Sequence, residues 1–307
     1  MWAFSLRRLA WAVPTLFVIV TVAFFMMRMA PGGPFDRERS LSPAVEANIK
    51  KAYNLDQPLL VQYGLYLGRA LTGDFGPSFK YQDYTVVELI ESGFPVSLKI
   101  GLTAIVLATI LGCGVGTIAA LRQNSGIDHA VMATAMIGIT IPNFVMAPLM
   151  TLIIGVYLRL LPVGGYGGGA LRNLILPTIA LSLPPIAYIA RLTRASMIEV
   201  LRSNYIRTAR AKGLPAYLVI GRHALHGALL PVVSYLGPAI AGIVTGSVVI
   251  ESIFGIPGIG RYFVQGALNR DYTLVLGVVI FYAALIIFLN LLADLVYGVL
   301  DPRIRYD

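Results

Sequence analysis

The chain has 307 residues, of which 57% are apolar and only 13% charged, with a mean hydropathy of +0.76 and a formal net charge of +9. Several uncharged apolar runs approach twenty residues, which excludes a soluble globular domain and points to an all-α polytopic membrane protein. A single cysteine, Cys113, excludes an internal disulfide.

The first apolar run, Leu9 to Met27, is about 28 Å long as a helix, enough to cross the hydrocarbon. Arg7 and Arg8 precede it, as they would a signal peptide. The run exceeds the ~7 to 15 apolar residues of such a segment, and "MRMAPGGP" offers no small-x-small cleavage site, so it reads as a retained anchor. Residues 31–97 follow as a long extracytoplasmic loop. It opens with "PGGP", has helix-start chemistry at Ser42-Pro43-Ala44 before "VEANIKKAYNL", and ends in the turn-rich "LTGDFGPSF". Such a loop is either an ordered cap or a docking surface for something outside. Five further spans are predicted at Leu98–Leu121, Ala130–Leu158, Leu174–Ala190, Leu229–Ile250 and Leu274–Leu300. Residues 98–307 thus form a core of five transmembrane helices containing the loop 191–228.

Six crossings put both ends on one side. Twelve Lys and Arg residues lie at the N-terminal side of the short connections and termini, against Arg159, Arg172, Arg261 and Arg270 opposite, so both termini are expected to be cytoplasmic.

Within the spans, Gly112 and Gly116 form a G-x-x-x-G face that another helix backbone can approach closely. Pro142, Pro148, Pro184 and Pro185 are expected to kink or interrupt the third and fourth spans. Carbonyls freed at membrane depth must face protein or a wet cavity, which makes Pro142 and the polar Asn143 candidates for a transport pathway, prolines being also ordinary in membrane helices. Glu251, Pro257 and Gly258 in "FGIPGIG", and Asp271 form either an outer gate or a structured turn.

No lysine follows a glycine, so the phosphate-cradling G-x-x-x-x-G-K-[ST] is missing from the chain. His129, His223 and His226 form no H-E-x-x-H, and no serine sits in G-x-S-x-G. No catalytic or metal-binding residue is therefore assigned, and the chain reads as a non-enzyme. Asp294 is the one acid inside a span, suited to a helix-end role or to a proton relay. The relay would make the protein a self-sufficient proton-coupled carrier.

The basic stretch "NYIRTARAKGLP" predicts a short helix after Ser203 or Asn204. It runs through Tyr205, Ile206, Arg207, Thr208, Ala209, Arg210, Ala211 and Lys212, with Gly213 ending it and Pro215 preventing its resumption. At about 13 Å it is too short to cross. Three readings compete: a loop lying on anionic lipid, a nucleic-acid surface, and a helical knob seated in a groove of a cytoplasmic protein. The nucleic-acid reading lacks aromatic interleaving and is set aside.

"RTARAKGL" followed by "RHALHGALLP" resembles the Ala-x-x-x-Gly and Leu-Pro loop motif of ABC importer permeases, here Ala209, Gly213, Leu230 and Pro231. "GSVVIESIFGIPGIGRYFVQGALNRDYTLV" looks like the signature of the peptide and nickel branch. The whole chain, through "GDFGPSFK" to "LDPRIRY", resembles the B-type permease subunits of bacterial oligopeptide importers. The resemblance implies the type I permease fold in a bacterial inner membrane, paired with a homologous C-type permease. It also implies two cytoplasmic ATPases that bind ATP and Mg, so that no cofactor belongs to this chain, and an external peptide-binding protein. By the same resemblance residues 205–213 are the coupling helix in an ATPase groove, the outer loop meets the binding protein, and the cargo is oligopeptide or, in sister systems, dipeptide, glutathione or nickel. Switching a transporter from 1:99 to 99:1 takes about 5.5 kcal/mol, whereas exposed ion pairs contribute ~0 to 1 kcal/mol each. Packing of Tyr205, Ile206 and Ala209, rather than the three cations, is therefore expected to carry the coupling.

Overall fold

The computed structural model describes residues 2–29, 54–81 and 83–300. Helix α1 covers Trp2–Met29, α2 Leu59–Leu71, α3 Val86–Leu121, α4 Gly126–Thr140, and α5 Asn143–Met150, continued by a π-helical Thr151–Tyr157. Helix α6 is Leu171–Leu201, α7 Asn204–Ala211, α8 Ala216–Ala228, α9 Leu230–Gly246, α10 Val248–Phe254, α11 Ile259–Asn269 and α12 Tyr272–Leu300. Four of these are long and apolar enough to cross a membrane, and α4 with α5 and α8 with α9 form two bent pairs that bring the number to six if each pair is one span.

The chain divides into two compact units, residues 1–96 with 257–288 and residues 97–256 with 289–307. In the first, Val86, Leu89, Ile90, Ile259, Leu274 and Val278 are buried together under a rim of aromatic side chains that includes Phe75, Tyr81, Phe94 and Tyr262. Helix α2 lies along α1, where Thr21 and Tyr63 share a hydrogen bond of 2.6 Å and Phe24 packs against the Tyr63 and Tyr66 rings. Two threonines of α1 bond back onto their own helix: Thr15 donates to the Trp11 carbonyl and Thr21 to that of Phe17.

The outer segment and the fourth span depart from expectation. The outer segment does not stay irregular up to residue 97, because α3 begins at Val86, twelve residues before the predicted span. Its start is a capping box: Thr85 N–H donates to Glu88 Oε2 at 2.7 Å and Glu88 N–H returns to Thr85 Oγ1 at 3.2 Å. Helix α2 was not foreseen at all, and the predicted helix after Ser42 lies outside the described residues, as do "PGGP" and the C-terminal "LDPRIRY". The third span is interrupted at Pro142, as expected there, with α4 and α5 meeting at 104°. Conversely α6 runs unbroken through Pro177, Pro184 and Pro185.

In the second unit α3 and α6 pack through the expected glycine face. A β-carbon at Gly112 would lie 2.7 Å from Ile189 Cβ, and one at Gly116 would lie 2.5 Å from the Ala190 carbonyl oxygen, while Gly114 faces open space. Helix α6 has no room to withdraw, because Ile189 and Ala190 are fully buried on it. Gly116→Leu is expected to destabilise the protein by about 1–3 kcal/mol through overpacking. Gly114→Ala should stay within about 0.5 kcal/mol of the parent. Thermal unfolding of the two detergent-purified variants measures both, and equal melting temperatures would contradict this packing.

Candidate functional site

The basic segment forms helix α7, and its C-terminus is closed by the chemistry the sequence announces. Gly213 adopts φ +73°, its N–H donates to the Arg210 carbonyl at 2.9 Å and Leu214 N–H to that of Ala209 at 3.3 Å. This crossed pair is a Schellman motif, which favours glycine because a β-carbon is strained at positive φ. Ser203 occupies the N-cap position, but its side chain makes no capping bond.

What fixes α7 against the rest of the unit is apolar burial. Ile206 is 0% exposed and Ala209 6%, packed in one cluster with Met197 of α6 and Val219, Ala224 and Ala228 of α8. Leu214, the residue after the Schellman glycine, joins the same cluster. Tyr205 is 49% exposed, and Arg207, Thr208, Arg210, Ala211, Lys212 and Gly213 are also exposed. Ile206 and Ala209 therefore cannot form the outward packing surface expected of them. They seat the helix in its own chain, and the outward face is Tyr205 with the three cations. Among the described residues, Arg207, Arg210 and Lys212 have no side-chain hydrogen bond or ion pair within the chain.

The helix that carries α7 is itself fixed at its neighbouring connection. Asp128, buried in the first turn of α4, accepts from Arg194 Nε at 2.7 Å and Nη2 at 2.6 Å, and from Asn124 N–H at 2.8 Å. Such a two-pronged guanidinium contact fixes direction as well as distance. Arg202 adds a hydrogen bond to Gln123 at 3.2 Å.

At the other candidate position, Ile141 (ψ 119°) and Pro142 (ψ 144°) are extended between α4 and α5, and the Pro142 carbonyl accepts from Val145 and Met146 to start α5. Asn143 opens onto a groove of about 460 Å³ lined also by Pro184, Pro185 and Tyr188 of α6 and by Tyr235 and Pro238 of α9. Tyr188 and Tyr235 stack with centroids 4.4 Å apart, and the Arg191 guanidinium lies 5.1 Å from the Tyr188 centroid. Asn143 Oδ1 is buried with no hydrogen-bond partner. Pro184 and Pro185 bring no N–H to bond the carbonyls four residues earlier, Ala180 and Leu181, and Leu181 is also in the groove wall. The tyrosines were not singled out from sequence. Aromatics interrupting the fourth and fifth spans next to prolines were the available signal.

The residues read as gate or turn fall in both units, and each has its own local setting. Glu251, in the second unit, is fully buried and accepts from Ser247 Oγ at 2.5 Å one turn earlier on α10. In the first unit, Pro257 and Gly258 lead into α11, whose N-cap is Gly258. Asp271 is fully buried and caps α12: its Oδ1 accepts from Leu274 N–H at 3.1 Å and Thr273 Oγ1 at 3.0 Å. Its Oδ2 accepts from Ser78 Oγ and from the backbone N–H groups of Phe79 and Lys80. With five donors from its own chain, Asp271 serves the structured-turn reading, tying the "GPSFK" loop to α12.

Known proteins resemble this arrangement along its whole length. The family of binding-protein-dependent transport system inner membrane components matches residues 112–306, and the N-terminal model of the same membrane components matches residues 1–101. The chain belongs to that family. Oligopeptide transport system permease protein OppB of Escherichia coli (strain K12) is 58% identical over 303 residues, 99% of each chain. Dipeptide transport system permease protein DppB of Bacillus subtilis (strain 168) is 48% identical over 296 residues, 96% of each. Among solved structures, a chain of the inward-facing MetNI methionine ABC transporter aligns with a TM-score of 0.57 at 17% identity, covering 70% of this chain and 97% of that one, which establishes a shared fold. The protein is thus an integral membrane permease component.

The two faces of α7 should separate experimentally. Ile206→Ala is expected to lower stability by about 2–5 kcal/mol as a core truncation, whereas Arg207→Ala should change it by less than about 0.5 kcal/mol. Melting temperatures of the purified variants test this, and a harmless Ile206→Ala would show that the seat is not apolar.

Proposed function

We propose that the chain is the membrane-spanning permease subunit of an ABC importer whose cargo is oligopeptide. The observation that carries this reading is the 58% identity to an oligopeptide permease across 99% of both chains. In this reading the chain contributes half of a translocation pathway beside a homologous C-type permease. Two cytoplasmic ATPases bind ATP and Mg, and an extracytoplasmic binding protein delivers peptide. The excess of Lys and Arg around residues 191–222 supports a cytoplasmic α7 and cytoplasmic termini.

Helix α7 is the natural coupling element. It is seated by Ile206 and Ala209, while Arg207, Arg210 and Lys212, which have no ion pair among the described residues, project beside the half-exposed Tyr205 for a complementary acidic groove to meet. The groove at Asn143 suits the pathway: it has proline and tyrosine walls and a single amide, so it can accept varied peptide side chains with little directional demand. A dipeptide cargo is the nearest alternative, supported by the 48% identity to a dipeptide permease.

Reconstitution of the four-subunit assembly in liposomes with its binding protein decides the matter. ATP-dependent uptake of a pentapeptide is expected, and uptake by this chain alone under a pH gradient would establish the proton-coupled carrier instead. Uptake confined to dipeptides would overturn the oligopeptide cargo. The paired change Arg207→Glu and Arg210→Glu should reduce ATPase retention during co-purification by about tenfold or more, which corresponds to ~1.4 kcal/mol. Undiminished retention would remove α7 from the docking surface.

A further inference from the structure

A second cavity, in the first unit, is unlike the groove at Asn143. It measures about 210 Å³ and is walled by α1, α2, the "DFGPSF" loop and the start of α12. Its size is below the ~300 to 1,000 Å³ typical of pockets for drug-sized molecules, so it admits a fragment such as one amino-acid residue, not a whole peptide. Three of its lining residues carry buried polar atoms without a partner: Arg28 Nε, Gln62 Oε1 and Tyr66 OH.

Charge in the cavity does not balance. Arg69 and Asp74 also line it, but they bond each other at 2.9 Å, and the Asp74 carboxyl is held below its usual range by the Gly76 N–H and then by Arg69, so that pair is neutral as a whole. Arg28 is left as the uncompensated charge. Its guanidinium lies 5.4 Å from the Phe24 centroid and 5.5 Å from that of Tyr272, ring contacts that hold the group without using its N–H donors. No described carboxylate pairs with it.

Gln62 supplies the complementary requirement. Both of its amide hydrogens are committed, to the Leu55 carbonyl at 3.2 Å and the Gln57 carbonyl at 2.7 Å, which fixes Oε1 as an acceptor still needing an N–H. The cavity wall therefore offers a cation and a hydroxyl for an anionic oxygen, and an acceptor for a nearby donor. A peptide's last residue has this combination: a carboxylate and, one carbon away, an amide N–H. An acidic side chain has the carboxylate, but its backbone N–H lies farther off. An inorganic phosphate has no N–H, and the ammonium of an ethanolamine lipid is a second cation, held two carbons beyond the phosphate ester oxygen and so farther from the anion than the amide of a peptide's last residue.

We propose that the cavity formed by Arg28, Gln62 and Tyr66 is a site for the C-terminal residue of a peptide, with Arg28 and Tyr66 taking the carboxylate and Gln62 the amide N–H. The inference deepens the oligopeptide reading and rests on it. It gives the permease a carboxylate-selective contact separate from the groove at Asn143.

The test uses the assembled transporter without its binding protein, titrated with N-acetyl-Ala-Ala, with the C-terminal amide of the same compound, and with inorganic phosphate. The acid is expected to raise the melting temperature in a saturable way, and the amide and phosphate to leave it unchanged. Arg28→Gln should weaken half-saturation by about tenfold or more, the scale of one lost charge-assisted hydrogen bond. Tyr66→Phe, which keeps the ring and removes only the hydroxyl, should weaken it too, and it remains informative should Arg28→Gln fail to assemble. A response as large for the amide or for phosphate, no response to the acid, or a response intact in Tyr66→Phe would each overturn the site. Peptide uptake by the parent assembly, measured separately, keeps the two readings apart. Uptake without an acid response discards this site alone, and absence of uptake discards the importer reading beneath it.

Discussion

A backbone carbonyl or N–H in hydrocarbon has no water to bond, and most of this structure follows from that constraint. It makes the spans helical and sends threonine hydroxyls back onto their own helices, as Thr15 and Thr21 do in α1. It also confines irregular backbone to places with protein or a cavity beside them. The extended Ile141-Pro142 corner is such a place, since Asn143 directly after it lines the groove together with the consecutive prolines of the unbroken α6. The feature that reads as a defect in a membrane helix thus coincides with the groove proposed above as the cargo route.

The second organising interaction is the apolar seat of α7. Eight helical residues do not hold a helix in water by themselves. Ile206 and Ala209 supply the missing free energy by burial against Met197 and α8, and the Schellman turn at Gly213 folds Leu214 onto the same patch. Because one face is consumed in this way, the cations are left on the other. An amphipathic period in "NYIRTARAKG" says that two faces exist. Only the packed structure says which of them the chain keeps for itself.

Much of the fold was legible because membrane spans are long, uniform and apolar. The four single helices, the glycine face at Gly112 and Gly116, and the Gly213 stop of α7 all rest on local chemistry that survives folding. The 104° corner was not legible: Pro142 signals a disturbance, but its angle is set by what packs on either side. Helix α2 was missed because "PLLVQYGLYL" is short, carries Gly64 and two tyrosines, and packs against α1 rather than the main core. The early start of α3 was written in Thr85 and Glu88, three residues apart before an apolar run, and went unread because the hydropathy window begins later. The carboxylates illustrate the limit for sites. Asp271 and Glu251 look alike as buried acids near turns, yet three of the donors to Asp271 come from some 190 residues away, a pairing that no local pattern announces.

Helix α6 joins the two candidate regions of the second unit in one rod about 46 Å long. Near its middle it presents Pro184, Pro185 and Tyr188 to the groove, and some ten residues later it presents Met197 to the seat of α7. In the proposed importer, a torque applied at that end needs no relay of intermediate parts: the rod turns like a crankshaft, and the groove wall turns with it.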